Sequence, residues 1–281
     1  MKRILLPTDF SDNSWNAITY ALNLFKNEEC NFILLNTYTP IIYDWEYLQT
    51  SNAQLSVTDA MKENSERGLE EVLRKVKSQF NNPKHIFTTI SSFNILTLEI
   101  AELHRGNAID MVIMGTKGAS GIEKVLLGSN TIHVLNRAKC PVIAVPTNFH
   151  FEKPHEILFP TDFELDYKVE HLQFLLDIAI SNGARLNILH VNYGQELTEV
   201  QKEFRKKLEG FIKNATYLFH DLSNKNVPEA ITDFQRKARV NLLAMINHKH
   251  FFFENLFFSP IINHIGFKLE VPFLVIPAKF D

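Results

Sequence analysis

The sequence predicts an α/β fold built twice: two doubly wound domains in tandem, each around a five-stranded parallel sheet. Three observations lead there. A length of 281 residues suits two domains, each large enough to bury its own core. Short Ile-, Leu- and Val-rich runs alternate with longer amphipathic stretches, the pattern of strands joined by crossover helices. One segment also returns: ILLPTDFS, from Ile4 to Ser11, reappears as ILFPTDFE from Ile157 to Glu164, identical at six of eight positions.

Along the first copy, ILLP reads as a strand and SDNSWNAITYALNLF as the helix after it. NFILLNTY gives a second strand, followed by a charged helix, SVTDAMKENSERGLEEVLRKVKSQF. HIFTTI, the helix ILTLEIAELHRG and the strand DMVIMG come next; a run as unbroken as MVIM suits a sheet covered on both faces. SNTIHVLNRA and the strand PVIAVP close the copy. In the second copy LNILHVNY answers the second strand, and Asn241 to Pro277 lies without a gap against Asp110 to Pro146. The offset between copies falls from 153 at Asp9/Asp162 to 131 at Gly115/Ile246, so the second is 22 residues shorter. That shortfall is assigned to PIIYDWEYLQTSNAQLSV, between the second strand and its helix. The join is placed at Thr147 to Pro154, giving domains 1–147 and 154–281.

Composition narrows the function classes. No apolar run approaches the ~20 residues needed to span a bilayer, and MKRILLPTDFSD lacks the hydrophobic region and cleavage site of a signal peptide. A cytoplasmic protein with no membrane partner is expected. The net charge of -3, without a long basic run, argues against nucleic acid. Cys30 and Cys140 are too few for a disulfide framework or a four-cysteine zinc site, and are expected as small buried thiols.

After the fourth strand the chain reads GTKGASGIEKVLLGSNT, with Gly115, Gly118, Gly128 and Ser129 in a G-x2-G-x9-G-S pattern. Glycine at a strand end lets backbone approach a ligand closely. Gly128 and Ser129 precede a helix whose first N-H groups and dipole attract an anion, with Ser129 expected as N-cap. Asp9 sits at another strand end, and in doubly wound sheets the ligand crevice opens where adjacent strands send their helices to opposite faces. If the first and fourth strands are neighbours, Asp9 and Gly115 flank that crevice. Lys117 and Lys124, inside the loop, are read as solvated lysines.

PTDFS near the start, G-x2-G-x9-G-S before a helix and a final PVIAVP strand together resemble the universal stress protein family, over essentially the whole chain and twice. The resemblance implies Rossmann-like, adenine nucleotide alpha hydrolase-like domains and one bound ATP, ADP or AMP, with or without Mg2+. It places Asp9 and the backbone near Thr37 at the adenine end, Gly115 and Gly118 along ribose and phosphates, and Gly128, Ser129 and Asn130 on phosphate oxygens. It also implies that the terminal strands PVIAVP and PFLVIP pair antiparallel as an intramolecular pseudo-dimer, each covering the other's edge; a further homodimer stays open.

The second copy breaks the pattern. Ile246, Lys249, Ser259 and Pro260 stand where Gly115, Gly118, Gly128 and Ser129 would be, and Pro260 has no N-H for a phosphate. Asp162 survives. One nucleotide per chain is therefore expected. The replacement loop holds Phe251 to Phe253, Phe257 and Phe258; the preferred reading is an inward plug of the vacated cleft, the other an apolar surface for a partner. His248, His250 and His264 make no metal set at familiar spacing. No GxxxxGK[ST], G-x-S-x-G, HExxH or SGGxDS-like loop is present. The readings are ranked as a nucleotide-responsive stress module, then a slow ATPase or phosphotransferase, then a nucleotide-independent scaffold, and no catalytic residue is assigned.

Overall fold

The structure, a computed structural model, describes residues 1–39, 51–116, 127–192, 194–223, 226–248 and 269–279, with backbone alone at 51–56. In chain order the elements are β1 (Lys2–Pro7), α1 (Asp12–Leu24), β2 (Cys30–Thr37), α2 (Ser51–Gln79), β3 (His85–Ser92), α3 (Leu96–Arg105), β4 (Met111–Gly115), α4 (Ser129–Arg137) and β5 (Val142–Val145). The order then repeats as far as the fourth strand of the second copy, with its last strand following: β6 (Glu156–Pro160), α5 (Val169–Asn182), β7 (Arg185–Asn192), α6 (Glu199–Ile212), β8 (Thr216–Ser223), α7 (Val227–Ala238), β9 (Leu242–Asn247) and β10 (Phe273–Pro277). By contact the chain divides into two compact units, Met1–Cys140 and Pro141–Asp281.

In the first unit the strands run β3-β2-β1-β4, and every described pairing is parallel. Ile4, Leu5, Leu6, Phe32, Leu34, Val112 and Ile113 are fully buried, as an apolar sheet with both faces covered requires. Consecutive strand residues point to opposite faces. Ser91 Oγ donates to Ser65 Oγ of α2 at 2.8 Å, while its neighbour Ser92 donates to Glu99 of α3 at 2.6 Å. Helices α2 and α3 therefore cover opposite faces, the doubly wound arrangement.

The second unit orders its strands β5-β10-β9-β6-β7-β8. All described pairings are parallel except β10 against β5, where Phe273 meets Ala144, Leu274 meets Ile143 and Val275 meets Val142. The antiparallel pairing expected of the two terminal strands is present, and it puts β5, the last strand of the first copy by sequence, inside the second compact unit. The expected place of the shortening needs a correction. α2 begins at Ser51 and takes in part of the segment read as loop; it runs 29 residues against 14 for α6, so most of the loss lies within a helix.

The amino-terminal strand ends are fastened differently in the two units. Arg3 donates to Asp110 from its main-chain N at 2.7 Å, from Nε at 3.2 Å and from Nη2 at 2.5 Å. Burial pushes the Asp110 carboxyl up, but the hydrogen bonds and charge of Arg3 outweigh it and hold its pKa below the ordinary value. At the corresponding place Asn241 Oδ1 accepts from the main-chain N of His155 at 3.0 Å and of Glu156 at 3.3 Å. Cys30 and Cys140 are buried free thiols, both pushed up to about 12 by burial first, and so inert at neutral pH.

Candidate functional site

The candidate site lies at the carboxyl edge of the first unit's strands, and the β1–α1 turn builds its first wall. Thr8 Oγ1 accepts from the Phe10 N-H at 3.0 Å and pairs with Ser14 Oγ at 2.9 Å. Asp9 Oδ1 accepts from Ser11 N at 3.2 Å and from Ser11 Oγ at 2.6 Å. Ser11 Oγ in turn accepts from Ser14 N as N-cap of α1. This geometry turns Phe10 to φ 66°, a left-handed value uncommon outside glycine. Asp9 thus spends one carboxylate oxygen on the turn and stands exposed.

β2 supplies the next element. The Thr8 N-H donates to Leu35 O at 2.8 Å, and Asn36 Nδ2 donates to Thr8 O at 2.7 Å. Thr37, half-buried, is level with Ser92 of β3. Asp9 and Thr37 therefore come to neighbouring strand ends. On the other side β4 is the partner of β1, pairing Ile4 with Met111 and Leu5 with Val112; continued along, that register sets Thr8 level with Gly115. The adjacency of the first and fourth strands, on which the crevice reading depends, is present.

Beyond β4 the chain returns to the site at α4. Gly128 donates its N-H to Thr116 O at 2.7 Å, and Thr131 Oγ1 donates to Gly115 O at 3.0 Å. Ser129 is the first residue of the helix, so the N-cap is Gly128, with no side-chain cap hydrogen bond. That corrects the expectation for Ser129: a glycine cap contributes no side-chain oxygen, and a polar ligand has room at the helix start. Ser129 and Asn130 are exposed and Gly128 half-buried. Gly118, Lys117 and Lys124 lie outside the described residues.

Sequence reasoning missed what surrounds Gly115. A Cβ there would lie 2.2 Å from Asn13 Nδ2, 2.7 Å from Cγ and 3.0 Å from Asn13 O. The strand-end glycine gives room to α1. The signal was available in the question of which residue faces a glycine at a strand end. A cavity of about 170 Å³ lies between α1 and α2, lined by Thr8, Phe10, Ser11 and Ser14 of the same turn together with Trp15 and Lys75 among others. It includes neither Asp9 nor the site glycines.

The second unit keeps the turn and changes what surrounds it. Thr161 Oγ1 accepts from Phe163 N at 3.1 Å and pairs with the Tyr167 hydroxyl. Asp162 Oδ1 accepts from Glu164 N at 2.9 Å, and Phe163 takes φ 57°. The survival of Asp162 therefore has a local cause: it builds the same turn. Helix α5, however, starts at Val169, seven residues after Asp162, where α1 starts three after Asp9. Ile246 occupies the glycine position at the end of β9, half-buried. Lys249, Ser259, Pro260, the phenylalanines of 251–258, His250 and His264 lie outside the described residues. Among those described, no group of three or more His, Cys, Asp or Glu could hold a metal ion, and no helix is long and apolar enough to cross a membrane.

Comparison with known proteins identifies a family. The family model described as the Universal stress protein family matches residues 1–146. A universal stress protein of Methanocaldococcus jannaschii is 28% identical over 144 residues, 51% of this chain and 81% of that protein. A universal stress protein A homolog of Coxiella burnetii is 27% identical over 146 residues, 51% of this chain and 95% of its own length. Among solved structures, a universal stress protein from Archaeoglobus fulgidus covers 98% of this chain and 96% of its own at 20% identity, with a TM-score of 0.65, which shows the fold. Another universal stress protein is known in complex with cAMP, at 13% identity, covering 46% of this chain and all (100%) of its own, with a TM-score of 0.34.

Proposed function

The chain belongs to the universal stress protein family, and from that premise we propose that its first unit holds one adenine nucleotide, through which the protein acts as a stress-response regulatory module. The observation that carries the reading is the start of α4: a glycine N-cap without a side-chain cap, followed by exposed Ser129 and Asn130, beside the strand whose turn presents Asp9. The first turn of a helix offers N-H groups and a positive dipole end to phosphate oxygens. In this arrangement Ser129 and Asn130 take the phosphates, and the free oxygen of Asp9 with the backbone at Thr37 takes the ribose or base. Gly115 and Gly118 line the ribose and phosphates.

The second unit, with Ile246 at the glycine position, is a family-type domain without that site. The two-copy chain then works as a tandem of one binding domain and one structural domain, with the terminal strands β5 and β10 paired antiparallel. The test is mass spectrometry of small molecules released from the denatured protein, quantified per chain, with Gly128→Val as the control. Gly128 has φ -64° and ψ 153°, open to any residue, so valine tests space rather than backbone strain. One adenine nucleotide per chain, reduced about tenfold or more in the variant, supports the reading. No nucleotide in either protein, with no calorimetric binding of added Mg-ATP, overturns it in favour of a nucleotide-independent scaffold. Two per chain overturns the assignment of the second unit.

A further inference from the structure

We infer that Asn13 is a positioning residue of this site, and that glycine is required at 115 because the Asn13 side chain, rather than a ligand, fills the space of the missing Cβ. The functional half of the inference rests on the nucleotide reading above; the packing half stands without it.

Asn13 is the second residue of α1 and is 6% exposed. Its Nδ2, Cγ and main-chain O lie 2.2, 2.7 and 3.0 Å from where a Cβ on Gly115 would be, closer than packed carbon atoms approach. No ligand is needed to explain the glycine. Three contacts then meet at two consecutive residues. α1 presses Asn13 onto Gly115 from one side, Thr131 of α4 donates its hydroxyl to Gly115 O, and Gly128 donates its N-H to Thr116 O. Thr116 and Thr131 are both 2% exposed.

The two ends of the candidate site hang from these helices. Asp9 is tied to α1 through Ser11 and the Ser11–Ser14 cap, and Ser129 begins α4. The distance between the Asp9 carboxylate and the Ser129 amide is therefore set by packing at Gly115–Thr116. A ligand that bridges a sugar and its phosphates is sensitive to such spacing, because each hydrogen bond weakens steeply as its distance and angle leave the preferred range. The second unit shows the same contact undone as a set. Ile246 brings a Cβ, α5 starts later, and Asp166, the counterpart of Asn13, is exposed and paired with Lys207.

The experiment compares the full-length wild type with Gly115→Ala, Asn13→Ala and the double variant. Two measurements are made: urea unfolding without nucleotide, and calorimetric affinity for Mg-ATP under conditions where each protein is folded. Gly115→Ala is expected to lower the unfolding midpoint and weaken ATP about tenfold or more, and the double variant to recover both to within about threefold of Asn13→Ala in affinity. Asn13→Ala alone is expected to weaken ATP a few-fold. If Gly115→Ala does not fold and the double variant does, the packing half is supported by that rescue. If stability returns in the double variant and affinity does not, the glycine serves the ligand and the positioning half is wrong. If stability does not return, the packing half is wrong. If wild type binds no ATP, the positioning half fails together with the reading it rests on, while the unfolding data still decide the packing.

Discussion

Phe10 and Phe163 are the same residue of the same turn, and the two units use them differently. Phe10 is 42% exposed, and its ring lies within 2.5–2.8 Å of where a Cβ on Gly68 of α2 would be. Phe163 is fully buried, with the Arg205 guanidinium 5.6 Å from its ring centroid and His190 at 5.2 Å. Both keep a positive φ, and both threonines accept from the phenylalanine N-H. The Pro-Thr-Asp-Phe signature is thus first a way of making a turn between a strand and a helix. Its survival in the second unit says that the turn was kept, and says nothing about a ligand. What separates the units is the end of the fourth strand of each copy, glycine against isoleucine, and the start of the helix that packs there.

The sharpest way to break this comparison is to truncate both phenylalanines. Phe163→Ala empties a fully buried site and is expected to cost about 3–5 kcal/mol in urea unfolding. Phe10→Ala, removing a ring that is part solvated, is expected to cost about 1 kcal/mol. Equal losses would mean the two turns are packed alike, against the burial described above. A smaller effect is expected from Ile246→Gly, which removes a half-buried strand side chain and adds backbone freedom, for about 2 kcal/mol. It should leave nucleotide stoichiometry unchanged, because α5 still starts four residues late; a second bound nucleotide would show that the isoleucine alone closed the cleft.

The smallest effects are in pH dependence, and they also separate the units. Asp110 has a folded pKa below its unfolded value near 3.9. Its contribution is therefore complete above that value and is lost as pH falls through the folded pKa. Asn241, at the equivalent place, does not titrate. Hydrogen exchange read between pH 5 and 3 should show the β1 and β4 amides loosening before those of β6 and β9, and Arg3→Ala should remove the difference. His171 runs at higher pH. Burial first, and Lys168 after it, lower its pKa, while Ala278 O and the nearby acids raise it. Its Nδ1 accepts from Lys168 N at 3.2 Å and its Nε2 lies 3.0 Å from Ala278 O. A depressed histidine favours the fold when neutral, so this support is present above about 6.5 and declines as pH falls below it. His85 has the same sign in the first unit. A drop in thermal midpoint from pH 7 to 5.5 that His171→Gln makes shallower would confirm the second unit's share.

Much of the fold was legible because its signals are local. The repeat at Ile4 and Ile157, the alternation of apolar runs with amphipathic ones, and an unbroken strand at Met111 need no tertiary information. The boundary between shortened loop and shortened helix was misplaced: Ser51 and Gln54 have the spacing of a capping box, and α2 begins there rather than at Ser56. At the site, the chain order of Asp9, Gly115 and Gly128 was visible, and strand adjacency was an inference from fold class that the β1–β4 register bears out. The N-cap was misread by one residue, since serine is a strong capping residue by itself and only the helix register shows that Gly128 takes the place.

By itself the sequence determined most of the strands and helices of the first copy, that the chain is written twice, and that the second writing lacks the glycines. These follow from side-chain periodicity and from residue identity, which act over a few neighbours. Tertiary structure alone decided why Gly115 is small, since Asn13 lies 102 positions earlier in the chain and reaches it only when α1 crosses the end of β4. It likewise grouped β5, whose pairing with the last strand the family resemblance implies, with the second compact unit, because a strand edge is satisfied by whichever chain segment arrives in register with it.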